Sequence, residues 1–195
     1  MHHLSSIPRA ICWLGLASLL ACGSSPPPTT RPAPARAPRF ERFPDANTIA
    51  LLQATSSVDL AYARVGTSRG MHRDVKALAK RMTTEHTLLN ETLNRLIARL
   101  DLAPRDDDVV RLLREQSNAR RDSLRALSGR EFDSAYVANE VRYHQEVLTA
   151  IDRVLLPSAQ RPALREYVTN LRPVITAQLA HAERVQATLA ALAEK

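Results

Sequence analysis

The sequence predicts an all-α domain, an up-down four-helix bundle with a crossover helix between the second and third bundle helices. Three observations carry this. Apolar residues recur at steps of three and four along nearly all of Phe40 to Lys195. No run alternates β-branched and polar residues between turn signals. The chain has only 5 glycines, and they punctuate the helical stretches.

Residues 1–21 read as a lipoprotein signal peptide. One firm positive charge, Arg9, precedes an apolar run from Ala10 to Ala21 that is too short for a bilayer, which takes about 20 residues. The run ends in Leu19-Leu20-Ala21-Cys22 and then Gly23-Ser24-Ser25, which resembles a lipobox with Cys22 as the acylated residue. Of the 2 cysteines, Cys12 leaves with the signal and lipid occupies Cys22, so no disulfide is expected. Gly23 after the cysteine resembles the outer-membrane sorting pattern, so the expected place is the periplasmic face of the outer membrane.

Residues 22–43 form the acylated cysteine and a Pro-rich tether, SSPPPTTRPAPARAPR at its heart, where proline excludes helix and central strand and favours extended polyproline II. Residues 44–195 form the bundle. The net charge of +7 favours anionic partners, and for an exported protein these are envelope polymers or lipid, with nucleic acid not expected. A well-solvated arginine-rich surface accounts for the same charge.

The first helix starts after Pro44 with Asp45 as its cap and runs to about Thr67, with Leu51, Ala54, Val58, Tyr62 and Val65 inward and Asp59 at the edge of the buried arc. After a break at Ser68-Arg69-Gly70 the second helix carries Val75, Leu78, Met82, His86, Leu89, Leu93, Leu96 and Leu100. Asp106-Asp107-Asp108 then caps a third helix with a narrow stripe, Leu113, Leu124 and Leu127. Its other side bears Arg111, Arg114, Arg121 and Arg125, a basic stripe suited to anionic polymers or lipid, or simply to water. This helix belongs on the outside.

Ser128 and Glu131 suggest a capping box for the fourth helix, whose stripe reads Val137, Val141, His144, Leu148, Ile151 and Leu155 until Pro157 closes it. Glu140 lies one turn before His144 on nearly the same face. The last helix opens at Pro162 and turns Leu164, Val168, Leu171, Ile175, Gln178, Ala182, Val185 and Leu189 inward, with His181 on the flank and a kink expected at Pro173. Two antiparallel pairs joined by a crossover of about 30 Å match the ferritin-like arrangement.

Polar residues therefore interrupt apolar stripes on four helices. At about 1.5 Å per residue, His86 and His144 fall near 21 Å from the end where their helices start, and Asp59, Glu140 and Gln178 near 13 to 15 Å. Two polar layers about one turn apart are expected. Carboxylates and imidazoles on facing helices suit a transition metal such as iron, zinc or copper. The Glu-x-x-His motif of di-iron bundles occurs nowhere in the chain, so a standard di-iron oxidase is not expected. The plain alternative is a satisfied polar core, with the histidines bonded to each other or to Tyr62, Tyr136 or Tyr143, and the acids paired with Arg64 or Arg142. No nucleophile arrangement or phosphate loop points to catalysis.

DVKALAKRMTTEHTLLNETLNRL, LSGREFDSAYVANEVRYHQEVL and LREYVTNLRPVITAQLAHA resemble the bacterial predicted outer membrane proteins that share a ferritin-like domain of unknown function. The likeness spans about Asn47 to Val185. It implies a helical bundle associated with the periplasm or outer membrane and without an established activity. The resemblance further implies an acid-His pair at Glu85-His86, a histidine at His144 and a first-helix acid at Asp59. Gln178 stands where the family usually has a histidine, with His181 three residues on. Two functional readings follow. One is a non-enzymatic, lipid-anchored envelope protein of maintenance or stress tolerance with no cofactor. The other is a metal-binding or metal-storage bundle using Asp59, Glu85, His86, Glu140, His144 and His181.

Overall fold

The computed structural model describes residues 42–194. The expected signal peptide, the expected acylation site Cys22 and nearly all of the expected tether lie outside the described residues. Within them the chain is helical throughout and contains no strand: α1 Asp45–Arg69, α2 Arg73–Leu100, α3 Asp108–Arg125, α4 Gly129–Ala150 and α5 Pro162–Ala193.

Contacts at the helix ends fix the direction of every element. Asn47 in the first turn of α1 donates to Asp107 before α3 at 3.2 Å, and Arg69 at the end of α1 donates to the Leu127 carbonyl after α3 at 2.9 Å. Helices α1 and α3 therefore run parallel. At the other end the amides of Met71 and His72, just before α2, donate to Asp133 in the first turn of α4 at 2.8 and 2.7 Å, so α2 and α4 also run parallel. Helix α5 starts beside the end of α2, where Arg161 reaches the Leu100 carbonyl. The pairs α1/α2 and α4/α5 are thus antiparallel, and α3 carries the chain back along the bundle, as the crossover expectation requires.

The α3 helix packs on α1 and touches α4 only lightly, which puts α1 under cover on three sides. Its buried residues include Ile49, Leu51, Leu52, Val58, Tyr62, Ala63 and Val65, with polar Asn47, Thr48 and Ser56 among them. Asp59, expected at the edge of the arc, is 0% exposed. The α5 stripe from Leu164 to Val185 is buried at the expected residues, and the helix continues through Pro173, which lies on its outer face.

Three local readings are corrected. The Asp45 carboxylate does not cap its own helix. It accepts from the Gln160 and Arg161 amides at 2.8 and 3.2 Å, so it satisfies the free N–H groups ahead of α5. Ser128 is the N-cap residue of α4 but makes no side-chain cap bond, and Gly129 follows with a left-handed φ of 59° that disfavours any other residue. Pro157 does not stop the helix: α4 widens into a π-helical turn, Ile151–Leu155, and continues to Ser158. That turn bonds the Leu156 amide to the Ile151 carbonyl, shifting the register just ahead of a residue that has no N–H to offer.

The inward faces of α3 and α4 are also rotated from the expected stripes. Helix α3 buries Val110, Ser117 and Leu124, leaving Leu113 and Leu127 half-covered. Of the stripe expected in α4, Val137, His144, Ile151 and Leu155 are buried and Val141 and Leu148 lie at the margin, while α4 also buries Phe132, Tyr136, Glu140, Tyr143 and Val147. Aromatic bulk decides the rotation, because a tyrosine removes more apolar area from water than a valine while its hydroxyl can reach a partner. Tyr143 does so, donating to the Thr55 carbonyl at 2.7 Å.

Candidate metal centre

Three side chains from three helices converge in the bundle interior. Asp59 Oδ2 on α1 stands 3.4 Å from His86 Nε2 on α2 and 3.4 Å from His144 Nε2 on α4. Asp59 is 0% exposed, His144 1% and His86 4%, and the three ligand atoms lie within 4.8 Å of one another. The expectation of two layers fails for a geometric reason. Side chains lean toward the N-terminus of their own helix. Because α1 runs against α2 and α4, Asp59 leans toward the histidines and they lean toward it, closing the gap of about 7 Å between the backbone levels.

The far sides of both rings are held. His144 Nδ1 lies 2.8 Å from the Glu140 carbonyl oxygen, which only accepts, so Nδ1 carries a proton, and in that tautomer Nε2 turns a lone pair toward Asp59. His86 Nδ1 lies 3.1 Å from Ser56 Oγ, which in turn donates to the His86 carbonyl at 3.4 Å. With its single proton directed there, the hydroxyl accepts from Nδ1–H, and His86 also presents an Nε2 lone pair. This is how metal-ligating imidazoles are oriented, through the nitrogen that does not bind.

Lone pairs facing a carboxylate oxygen repel one another unless a proton or a metal ion lies between them. Neither His Nε2 nor either Asp59 oxygen has a hydrogen-bond partner. A charge-assisted N–H···O bond would close to about 2.7–2.9 Å, shorter than either 3.4 Å separation. Burial also pushes the His86 pKa down, against the weaker pull of Asp59, so imidazolium is disfavoured there. At metal–ligand bonds of about 2.1 Å, two ligands at the tetrahedral angle stand about 3.4 Å apart. Both Asp59–histidine separations fit one shared ion.

Two further polar side chains border the triad. Glu140 is completely buried with neither carboxyl oxygen hydrogen-bonded. Burial, reinforced by Asp59, drives its pKa well above the ordinary carboxylate range; the nearby Tyr136 hydroxyl and Asn139 amide oppose this only in part. Its burial favours the neutral carboxylic acid over the carboxylate. Gln178 on α5 is 0% exposed and its Nε2 donates to Glu85 Oε2 at 2.9 Å, while Arg81 Nε holds the other Glu85 oxygen at 2.7 Å. A carboxylate only accepts, so the amide orientation is fixed, and Oε1 is left buried and unpartnered.

The structure thus brings together Asp59, His86 and His144 and places Glu140 and Gln178 beside them. Glu85 is drawn outward to Arg81 and Gln178, and His181 stays on the flank, where partial burial and the charges of Arg81 and Arg184 lower its pKa. The expected tyrosine partners do not bond to the imidazoles: Tyr62 donates to the Ser117 carbonyl at 3.5 Å, and the Tyr136 hydroxyl has no partner among the described residues. Arg142 serves Glu146 and Asn139, not the buried acids. Ser56 is a residue of the site that helical spacing alone does not single out. Its signal is a hydroxyl on the same face as Asp59, one turn before it.

The structural likeness extends to a solved protein. The crystal structure of a DUF305 fragment from Deinococcus radiodurans aligns with a TM-score of 0.64 over 74% of this chain and 95% of that one, at 16% identity, a similarity of fold. No curated protein matches the chain. A family model described as Domain of unknown function (DUF4142) matches residues 29–185, a span that contains all five helices up to Val185 and every residue of the triad. The chain belongs to the DUF4142 family.

Proposed function

We propose that this domain binds one divalent first-row transition-metal ion through Asp59 Oδ2, His86 Nε2 and His144 Nε2, with Gln178 Oε1 and the Glu140 carboxyl as adjoining oxygen donors. The observation that carries the reading is the opposed pair of acceptors: the His144 lone pair, fixed by the Glu140 carbonyl, faces a carboxylate oxygen that has no other partner. Two imidazoles and one carboxylate suit copper, zinc or iron, with copper binding most tightly at equal availability and no selectivity for magnesium or calcium.

The lipid anchor at Cys22 and the Pro-rich tether place this ion site, on the same proposal, at the periplasmic face of the outer membrane. Among the described residues no helix is long and apolar enough to cross a membrane. A satisfied polar core is the competing reading, and the unpartnered Asp59, His86, His144, Glu140 and Gln178 atoms speak against it, since buried polar groups are normally hydrogen-bonded. The test is a thermal unfolding series on chelator-treated protein with added Zn²⁺. A ligand at a hundredfold excess over Kd stabilises by about 2.7 kcal/mol, a rise of roughly 5–10 °C in Tm for a domain of this size. The His86→Ala/His144→Ala double variant should show no rise, and an equal rise in both proteins would overturn the assignment.

A further inference from the structure

Two further unpartnered polar atoms, Ser117 Oγ and Arg121 Nε, lie outside the metal centre at a cavity of about 220 Å³ that opens to solvent between α1 and α3. Its polar lining comes from Ser57, Arg114, Ser117, Asn118 and Arg121, with Tyr62 closing one wall and no carboxylate among the lining residues. Ser117 is 5% exposed, yet its hydroxyl has no partner, and Arg121 Nε is buried and unpartnered as well. The Tyr62 hydroxyl is engaged by the Ser117 backbone carbonyl and so does not satisfy the serine side chain. Arg114, Ser117, Asn118 and Arg121 follow one another at helical steps that share a face, turned toward α1.

The basic stripe of α3 therefore divides. Arg111 and Arg125 pair with Asp108 and Asp122 on their own helix at 3.0 and 3.4 Å, pointing away from the cavity lining. Arg114 is held by Asp106. Arg121 has no acidic partner among the described residues.

We propose that this cavity is a binding site for a phosphate-type oxyanion. The Arg121 guanidinium and the Ser117 hydroxyl are its main donors, and Arg114, shared with Asp106, is a second cation at the rim. A guanidinium edge beside a hydroxyl offers several converging donors and no acceptor charge, the chemistry that selects a phosphate group. The group can belong to free phosphate or to a phospholipid headgroup, and the site makes no use of the metal centre.

The test is calorimetric titration of the full chain, in nonionic detergent and stripped of metal with chelator, with inorganic phosphate. Saturable one-site binding is expected. Arg121→Gln should weaken it roughly ten- to hundredfold, the range for a lost hydrogen bond to a charged group, and Ser117→Ala should weaken it several-fold. Arg125→Gln, outside the cavity, should leave it unchanged, and unaltered unfolding midpoints would show that all three variants are folded. A soluble short-chain phosphatidylglycerol that displaces phosphate assigns the site to headgroups, and one that does not assigns it to free phosphate. No saturable heat up to on the order of 10 mM phosphate, or an equal loss in Arg125→Gln and Arg121→Gln, would overturn the proposal, the latter by showing diffuse surface attraction.

Discussion

Gln178 donates through Nε2 to Glu85 at 2.9 Å, and that one bond decides which end of the amide faces the interior. Glu85 is itself steadied by Arg81 on the same helix, four residues earlier. The chain from Arg81 through Glu85 to Gln178 thus directs a buried carbonyl oxygen inward beside His86. Glu85→Ala should leave the three ligands in place but free the amide to turn. The expected result is a ten- to hundredfold loss of metal affinity, typical of outer-shell partners, with little change in metal-free stability. Competition against a chromophoric chelator measures it.

Asp59→Asn should separate metal binding from folding. The amide keeps the shape of the carboxylate and supplies an N–H to the His144 lone pair, replacing two opposed acceptors by a hydrogen bond. Metal-free protein should gain about 1 kcal/mol in urea unfolding, while the Zn²⁺-induced rise in Tm disappears. Loss of stability in the metal-free variant would mean that a proton already occupies the gap.

Two buried groups should give opposite slopes of stability with pH. Glu140 has a folded pKa above its unfolded value, so its contribution is complete below about pH 4.5 and is lost as pH rises toward the raised value. His86 has a folded pKa below about 6.5, so the unfolded state takes up protons first and stability falls as pH drops below that point. Glu140→Gln removes the first slope alone. Relative to the parent it should gain stability between pH 5 and pH 8, by about 1–3 kcal/mol, as read by urea unfolding at each pH.

Gly66 lets α1 approach the Tyr136 ring and Ala79 closely. A Cβ there would stand 2.4 Å from Tyr136 Cζ and 2.8 Å from Ala79 Cβ. Gly66→Ala should cost about 1–3 kcal/mol through overpacking, and a companion Tyr136→Phe should recover little of it, because the ring and not the hydroxyl is in the way.

Much of this was legible in the sequence. The α5 stripe from Leu164 to Val185, the inward His86, His144 and Gln178, and the crossover role of α3 all follow from helical spacing and length. What spacing could not convey was the neighbourhood of each helix. Helix α1 is covered by α2, α3 and α4, so Asp59 is enclosed although the stripe beside it is no more apolar than on an edge helix. The meeting of Asp59 with the histidines depended on side-chain lean in antiparallel helices, which backbone levels omit. The unexpected π-turn before Pro157 and the service of Asp45 to α5 are tertiary solutions, invisible to a local reading of caps and breakers. Nothing in the local sequence marks Ser117, whose burial comes from the packing of α1 against α3.

The most direct measurement is elemental analysis of the chain purified without chelator or polyhistidine tag, beside the His86→Ala/His144→Ala double variant. The account predicts close to one copper, zinc or iron per chain in the parent and none in the variant. Metal-free parent protein that also fails to take up any of the three on dialysis would contradict it, and would leave the opposed Asp59 and His144 bridged by a proton alone.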